Sequence, residues 1–149
     1  MKTLVLGLGN PIVTDDGVGI EVAEGIGEAS RDVVVEQTTE AGLALLDYLE
    51  GHDRVIIVDS IKTEKGTPGD LYRLGLADLH AATDLSCSHG MDLASAFKIG
   101  QDLGCRMPQS VSIYAIEVED NSTFGEGCTD KLRRRIPFIV TEIVREEKL

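Results

Sequence analysis

The segment TLVLGLGNP at residues 3–11 decides the fold of this chain. Most of residues 3–8 are apolar, on both faces of an extended chain, which is typical of a strand buried inside a parallel sheet. The Gly-Asn-Pro that follows predicts a tight turn at the end of that strand. A helix should then run from about Asp15 to Ala29, because the apolar residues between Val18 and Ile26 repeat at helical spacing.

The alternation of strand and helix continues outward from this segment. We expect strands at Asp32–Glu36 and Arg54–Asp59, with a leucine-rich helix at Gly42–Glu50 between them. This order predicts a parallel sheet that is covered by helices on both faces. Gly69–Leu74 alternates polar and apolar residues and follows without a crossover helix, so it should form an antiparallel edge strand.

The second half of the chain completes the same pattern. It predicts a helix at Met91–Leu103, a strand at Ser110–Val118 and a C-terminal helix with an apolar stripe from Leu132 to Val144. Pro137 lies inside that stripe and should kink or split the helix. We find no repeat or linker, so residues 1–149 should form a single α/β domain of common size.

Charge and composition exclude several classes of function. The chain has 149 residues with 26 acidic and 14 basic side chains, for a net charge of −12. Nucleic-acid binding needs a basic face, so we expect no nucleic-acid partner. No apolar run reaches the roughly 18 residues that a membrane span requires, so we expect no membrane association. Three cysteines without a CxxC pair favour a reducing compartment and therefore a cytoplasmic protein.

Candidate metal ligands follow the ends of the predicted strands. In open α/β sheets, ligands bind beyond the carboxyl ends of the strands. Asp15 and Asp16 follow the first strand, Asp59 ends the third, and His89 precedes the third long helix. Carboxylates and an imidazole suit a divalent ion such as nickel, zinc, iron or manganese, and three protein ligands leave coordination positions open.

Structural explanations and other kinds of site compete with this metal centre. Acidic residues at a helix start can simply stabilise its N-terminus, and a lone loop histidine is usually not a ligand. Gly7 and Gly9 fill two of the three glycine positions of a dinucleotide-binding fingerprint, but Ile12 occupies the third. Cys87 has no evident base to activate it as a nucleophile. A basic cluster in the last helix has the pattern of a solvated face or of a docking patch for an acidic partner: Lys131, Arg133, Arg134 and Arg135.

Three motifs together resemble the [NiFe]-hydrogenase maturation endopeptidases. They are LGLGNPIVTDDGVG at residues 6–19, VIIVDS at residues 55–60 and SHGMDL at residues 88–93. The resemblance implies a three-layer α/β/α sandwich of the phosphorylase/hydrolase-like kind. Its five-stranded sheet should be mostly parallel, with one antiparallel strand. The polar stretch at residues 117–127 matches this family least well.

The resemblance also implies an activity and a site. Such an endopeptidase removes the C-terminal extension of the hydrogenase large-subunit precursor once nickel has been inserted, so that precursor is the expected partner. The family's metal contacts correspond to Asp16, Asp59 and His89, and the two aspartates are also the catalytic candidates. Asn10 and Asp15 are candidate contacts for the substrate. The expected cofactor is a divalent metal, nickel first, held by the enzyme or supplied by the substrate.

Two alternative functions remain open at this point. Peptidyl-tRNA hydrolases also begin with GLGNP on a similar fold. Their motif continues to a catalytic histidine, however, where this chain has Asp15, Asp16 and Gly17. The second alternative is a non-catalytic module that binds a nucleotide or a metal.

Overall fold

Five strands form one sheet in this computed structural model, which describes residues 2–40, 42–75 and 90–149. The sheet order is β2-β1-β3-β5-β4. The first four strands in that order run parallel, and β4 pairs antiparallel with β5 at the edge. This confirms the expected mostly parallel sheet with one antiparallel edge strand. The strands are β1 (Thr3–Leu8), β2 (Val33–Thr38), β3 (Arg54–Ile61), β4 (Leu71–Leu74) and β5 (Ser110–Glu117).

Helices cover both faces of the sheet and make three layers. One apolar core lies between the sheet and helices α1 and α4, and the other between the sheet and helices α2 and α3. Neighbouring strand residues alternate between the two cores, as Val55 and Ile56 do, which explains why the strands are apolar on both faces. The helices are α1 (Val18–Ala29), α2 (Leu46–Leu49), α3 (Gly90–Asp102) and α4 (Asp130–Glu147), with short 3-10 turns at Thr14–Gly17 and Gly42–Leu45.

Some element boundaries differ from those expected. The first long helix begins at Val18, because Thr14–Gly17 forms a separate 3-10 turn. β3 continues two residues beyond Asp59, since its pairing with β5 extends as far as Ile61 opposite Glu117. Asp59 therefore lies within the strand, one residue beyond the part of β3 that pairs with β1, which ends with Val58 opposite Gly7.

Pro137 does not split the C-terminal helix, and that it kinks the helix stays a prediction. The helix is continuous from Asp130 to Glu147. A proline removes a single backbone hydrogen bond from the helical ladder, and apolar side chains on both sides of it, Leu132 and Ile139, are fully buried. Packing on the sheet therefore holds the helix together across the proline.

The start of α1 sits directly on the sheet because two glycines allow it. A Cβ atom on Gly19 would lie 2.4 Å from the carbonyl oxygen of Val58 and 2.6 Å from that of Leu8. A Cβ atom on Gly7 would lie 2.8 Å from the carbonyl oxygen of Gly19. Ile12, at the third fingerprint position, is 53% exposed and takes no part in this contact. The helix start thus covers the carboxyl ends of β1 and β3. Among the described residues, none of the helices combines the length and apolar character that crossing a bilayer requires.

Replacing Gly19 should therefore destabilise the fold. We expect Gly19→Ala to lower the free energy of unfolding by about 2–3 kcal/mol, since overpacking against rigid backbone forces the helix away from the sheet. Urea unfolding measures this change. Glu24→Ala, at an exposed position of the same helix, is the control and should change stability by less than about 0.5 kcal/mol. Equal unfolding midpoints for the Gly19 variant and the wild type would contradict the packing argument.

Candidate functional site

The site lies in the crevice between β1 and β3, where the strand order reverses. The chain leaves β1 toward β2 on one side, while β3 lies on the other. Ligands of open α/β sheets bind at such a switch point, beyond the carboxyl ends of the strands. The turn at residues 9–17 crosses this crevice between β1 and α1. The side chains of that turn and of the end of β3 therefore determine the chemistry of the site.

The turn folds back on itself and holds Asp16 beside Asn10. Gly9 has a φ of +148°, and a Cβ atom there would lie 2.0 Å from the carbonyl oxygen of Asp16. The backbone N–H of Asn10 donates to Asp16 Oδ2 at 2.9 Å. The Oδ1 atom of Asn10 accepts from the backbone N–H of Ile12 at 3.2 Å, which closes an Asx turn. The observed role of Asn10 is thus to shape this turn, and its contact with a substrate stays a prediction.

Ser60 connects the two predicted carboxylate ligands. Its hydroxyl donates to Asp16 Oδ1 and its backbone N–H donates to Asp59 Oδ1, both at 2.8 Å. Asp59 and Ser60 are each only 2% exposed. Asp16 and Asp59 are thus each hydrogen-bonded to Ser60 near the end of β3, and that the two carboxylates share a metal stays a prediction. His89 lies outside the described residues, so its place in the site stays a prediction.

The carboxylate pair has the chemistry that a divalent cation needs. Both oxygens of Asp16 accept one hydrogen bond each, and a carboxylate oxygen keeps a further lone pair for a metal. Metal-ligating carboxylates are themselves usually oriented by such hydrogen bonds. Within the described ranges, however, no group of three or more histidine, cysteine or acidic side chains could enclose a metal. The pair therefore fits a metal provided that other ligands come from elsewhere in the chain or from a substrate.

Asp15 has a structural role that differs from that of its neighbour. Its side chain is fully buried, and its oxygens accept hydrogen bonds from the backbone N–H groups of Glu119, Asp120 and Thr129 at 2.7–3.1 Å. The Thr129 hydroxyl donates to it as well, at 3.1 Å. Asp15 thereby fastens the loop between β5 and α4 to the site. Its predicted contact with substrate remains untested.

The same loop is also joined to the first turn through the backbone. Thr14 N–H donates to Gly125 O at 3.1 Å, and Gly125 N–H donates to Ile12 O at 2.9 Å. The Thr14 hydroxyl donates to the carbonyl oxygen of Thr123. Sequence reasoning gave this loop no role, because the contacts join residues more than 100 positions apart and leave no local pattern. The buried acid next to Asp16 is the one signal that could have indicated it.

Two other buried groups near the site are structural. The Cys128 thiol donates to Glu21 Oε2 at 3.1 Å, and burial with that carboxylate nearby raises the pKa of the thiol, so it stays protonated. Glu117 is 1% exposed and accepts hydrogen bonds from Thr63 and from the Tyr72 hydroxyl. Burial, followed by the Glu117 carboxylate, raises the pKa of Tyr72. Glu117 therefore holds the turn before β4. Cys87 lies outside the described residues.

Two solved structures share this architecture over nearly the whole chain. The hydrogenase maturating endopeptidase HybD from Escherichia coli superposes with a TM-score of 0.80 at 24% identity, covering 99% of this chain and 94% of the other. The [NiFe] hydrogenase maturation protease HybD from Thermococcus kodakarensis superposes with a TM-score of 0.76 at 22% identity, covering 98% of each chain. The fold thus defines a class: α/β proteins with the fold of the hydrogenase-maturating endopeptidases.

Sequence comparison gives the family. Hydrogenase 2 maturation protease of Escherichia coli is 29% identical over 103 residues, a match that spans 55% of this chain and 63% of that protein. Hydrogenase expression/formation protein HupD of Rhizobium leguminosarum is 26% identical over 149 residues, spanning 97% of this chain and 73% of that protein. The family model of the hydrogenase maturation proteases matches residues 20–146. The chain belongs to the hydrogenase maturation protease family, a family of peptidases, which confirms the resemblance seen in its motifs.

Removing the charge of Asp15 should loosen the loop that it holds. We expect Asp15→Asn to lower the free energy of unfolding by about 2–3 kcal/mol, because an amide nitrogen would face several buried N–H donors. Hydrogen exchange at the amides of Glu119, Asp120 and Thr129 should accelerate together. Asp130→Asn is the matched control, since that side chain is 87% exposed. Unchanged exchange at all three amides would show that Asp15 does not hold the loop.

Proposed function

We propose that this chain is an endopeptidase that removes the C-terminal extension of a [NiFe]-hydrogenase large-subunit precursor after nickel insertion. The observation that carries the proposal is the pairing of Asp16 with Asp59, through Ser60, at the switch point of the sheet. The printed names of the relatives support the hydrogenase connection. Family membership supports the peptidase activity.

Asp16 and Asp59 would hold a divalent metal, with nickel the expected ion and His89 the expected third ligand. Such an ion supplies a Lewis acid that polarises a carbonyl group or lowers the pKa of water. We favour nickel carried by the substrate as the recognition element. An incomplete oxygen-rich ligand set on the enzyme would be completed by a loaded precursor, so that cleavage follows nickel insertion.

The chain's own residues have separable tasks in this reaction. Ser60 and the backbone of Asn10 fix the carboxylate of Asp16, while the end of β3 fixes Asp59 in a buried setting. A general base must lie within hydrogen-bond reach of the water that it deprotonates. Asp16 and Asp59 lie at the crevice, so either carboxylate would accept a proton from an attacking water there. We place the reaction in the cytoplasm, where the free thiols of Cys105 and Cys128 would stay reduced.

Cleavage of nickel-loaded and nickel-free precursor tests this function. The wild type should cut the loaded precursor and leave the nickel-free one intact. Asp16→Asn, Asp59→Asn and His89→Ala should each lower kcat/KM by about 100-fold or more. Asp47→Asn, at an exposed position on α2, should have no effect. Mass spectrometry of the precursor identifies the product. Equal cleavage of nickel-free precursor would refute nickel recognition, and an intact loaded precursor would refute the peptidase function.

Ser60 should matter to the reaction without contacting the substrate. We expect Ser60→Ala to lower kcat/KM for the loaded precursor about tenfold, since a lost hydrogen bond to a metal ligand costs roughly 10- to 100-fold. Ser60→Thr keeps the hydroxyl and should restore most of the activity. The matched control is Ser112→Ala, at a similarly buried position on β5. Full activity of Ser60→Ala at unchanged melting temperature would remove Ser60 from the site.

A further inference from the structure

A groove runs beside the crevice and is formed by the loops described above. Its first part has a volume of about 380 Å³ and lies between the first turn, the start of α1 and Glu126–Gly127. A second part, of about 400 Å³, continues past the end of β2 to Glu40. Both parts are lined by Pro11, Ile20 and Gln37, so they form one continuous depression.

One large apolar side chain lines this groove, and a second is exposed on the loop that borders it. Ile12 lines the groove and is 53% exposed, and Phe124 is 79% exposed. Phe124 lies between Thr123 and Gly125, whose backbones are bonded to Thr14 and Ile12. The buried Asp15 carboxylate secures the same loop. Exposed apolar side chains that are held in place in this way are typical of a binding surface.

The charge of the groove is negative. Glu21, Glu24 and Glu126 line its first part, and Glu40 lines the second. Within the described ranges, neither lysine nor arginine lines either part. The guanidinium of Arg133 approaches Gly127 from the helix side, but it donates to Cys128 O and pairs with Asp130. A ligand in this groove would therefore find acidic and apolar groups together.

We propose that this groove is the docking surface for the precursor polypeptide, and that it takes an extended segment with both apolar and basic side chains. The inference rests on the protease function proposed above. The groove borders the turn whose Asn10 N–H holds Asp16, so a polypeptide lying along it continues toward the two carboxylates. Basic side chains on the bound segment would complement the acidic lining of the groove and speed the encounter. Glu126 and Gly127, from the loop between β5 and α4, thereby form one wall of the specificity surface.

A second copy of this chain is the other occupant whose charge would fit. The basic cluster at the start of α4, Lys131 and Arg133–Arg135, has the sign that the groove requires. A self-association of that kind would be lost when either side is neutralised. The test therefore includes a measurement of mass in solution for every variant, by light scattering.

The experiment measures docking and cleavage separately, on the full chain with the nickel-loaded precursor. Glu24→Gln/Glu126→Gln should weaken precursor binding and raise KM about fivefold while kcat stays within about twofold, since exposed charge pairs contribute modestly. Glu28→Gln/Glu50→Gln changes the net charge equally at exposed positions outside the groove and should leave both values unchanged. Phe124→Ala should weaken binding about tenfold. Phe138→Ala, 65% exposed on α4, is its control.

The outcomes distinguish this inference from the proposed function. Normal binding and KM in both groove variants would overturn the docking surface and leave the peptidase function intact. Binding that depends on the groove, without cleavage, would support the surface and refute the peptidase function. Equal weakening by both glutamine pairs would show general attraction to an acidic protein and would overturn the proposal. So would a dimeric wild type that becomes monomeric in Glu24→Gln/Glu126→Gln.

Discussion

The close seating of α1 on the sheet is the constraint on which the site depends. Only a glycine at position 19 allows the helix start to meet the carbonyl oxygens of Leu8 and Val58. Because α1 begins so close to the sheet, the turn between β1 and α1 crosses the crevice. It places the carboxylate of Asp16 within hydrogen-bond distance of the Ser60 hydroxyl. Close packing of α1 on the sheet thus sets the position of the Asp16 carboxylate, which is not itself part of the apolar core.

Asp15 and Asp16 are adjacent in the sequence, but the first holds a loop in place and the second lies at the candidate site. The side chain of Asp15 is fully buried and serves the backbone of a loop more than 100 residues away. Asp16 is partly exposed and faces the end of β3. A 3-10 turn, rather than the first turn of the α-helix, carries both residues and separates their directions. Neither carboxylate forms a side-chain N-cap at this helix start.

Local pattern predicted the elements well, and long-range contacts explain what it missed. The strand starting at Arg54 and the antiparallel edge strand followed from periodicity and from the absence of a crossover helix. The length of β3 did not, because pairing with β5 carries it past Asp59. Pro137 does not split its helix, since burial of the helix on both sides of the proline outweighs one missing hydrogen bond. The hydrogen bonds from the loop between β5 and α4 to Asp15 could not be predicted, because the sequence does not show which aspartate is buried.

The hydrogen bonds between Asp15 and the loop that precedes α4 also affect how the protein folds during its synthesis. Asp15 and Thr129 are 114 positions apart along the chain, so Thr129 is synthesised well after Asp15. Contacts of such wide separation along the chain close late, since their loop entropy is offset only when the intervening sheet already exists. A nascent chain can therefore assemble β1, β2 and β3 during synthesis and still lack this wall. The wall formed by the loop between β5 and α4 therefore closes only after the residues around Thr129 have been synthesised.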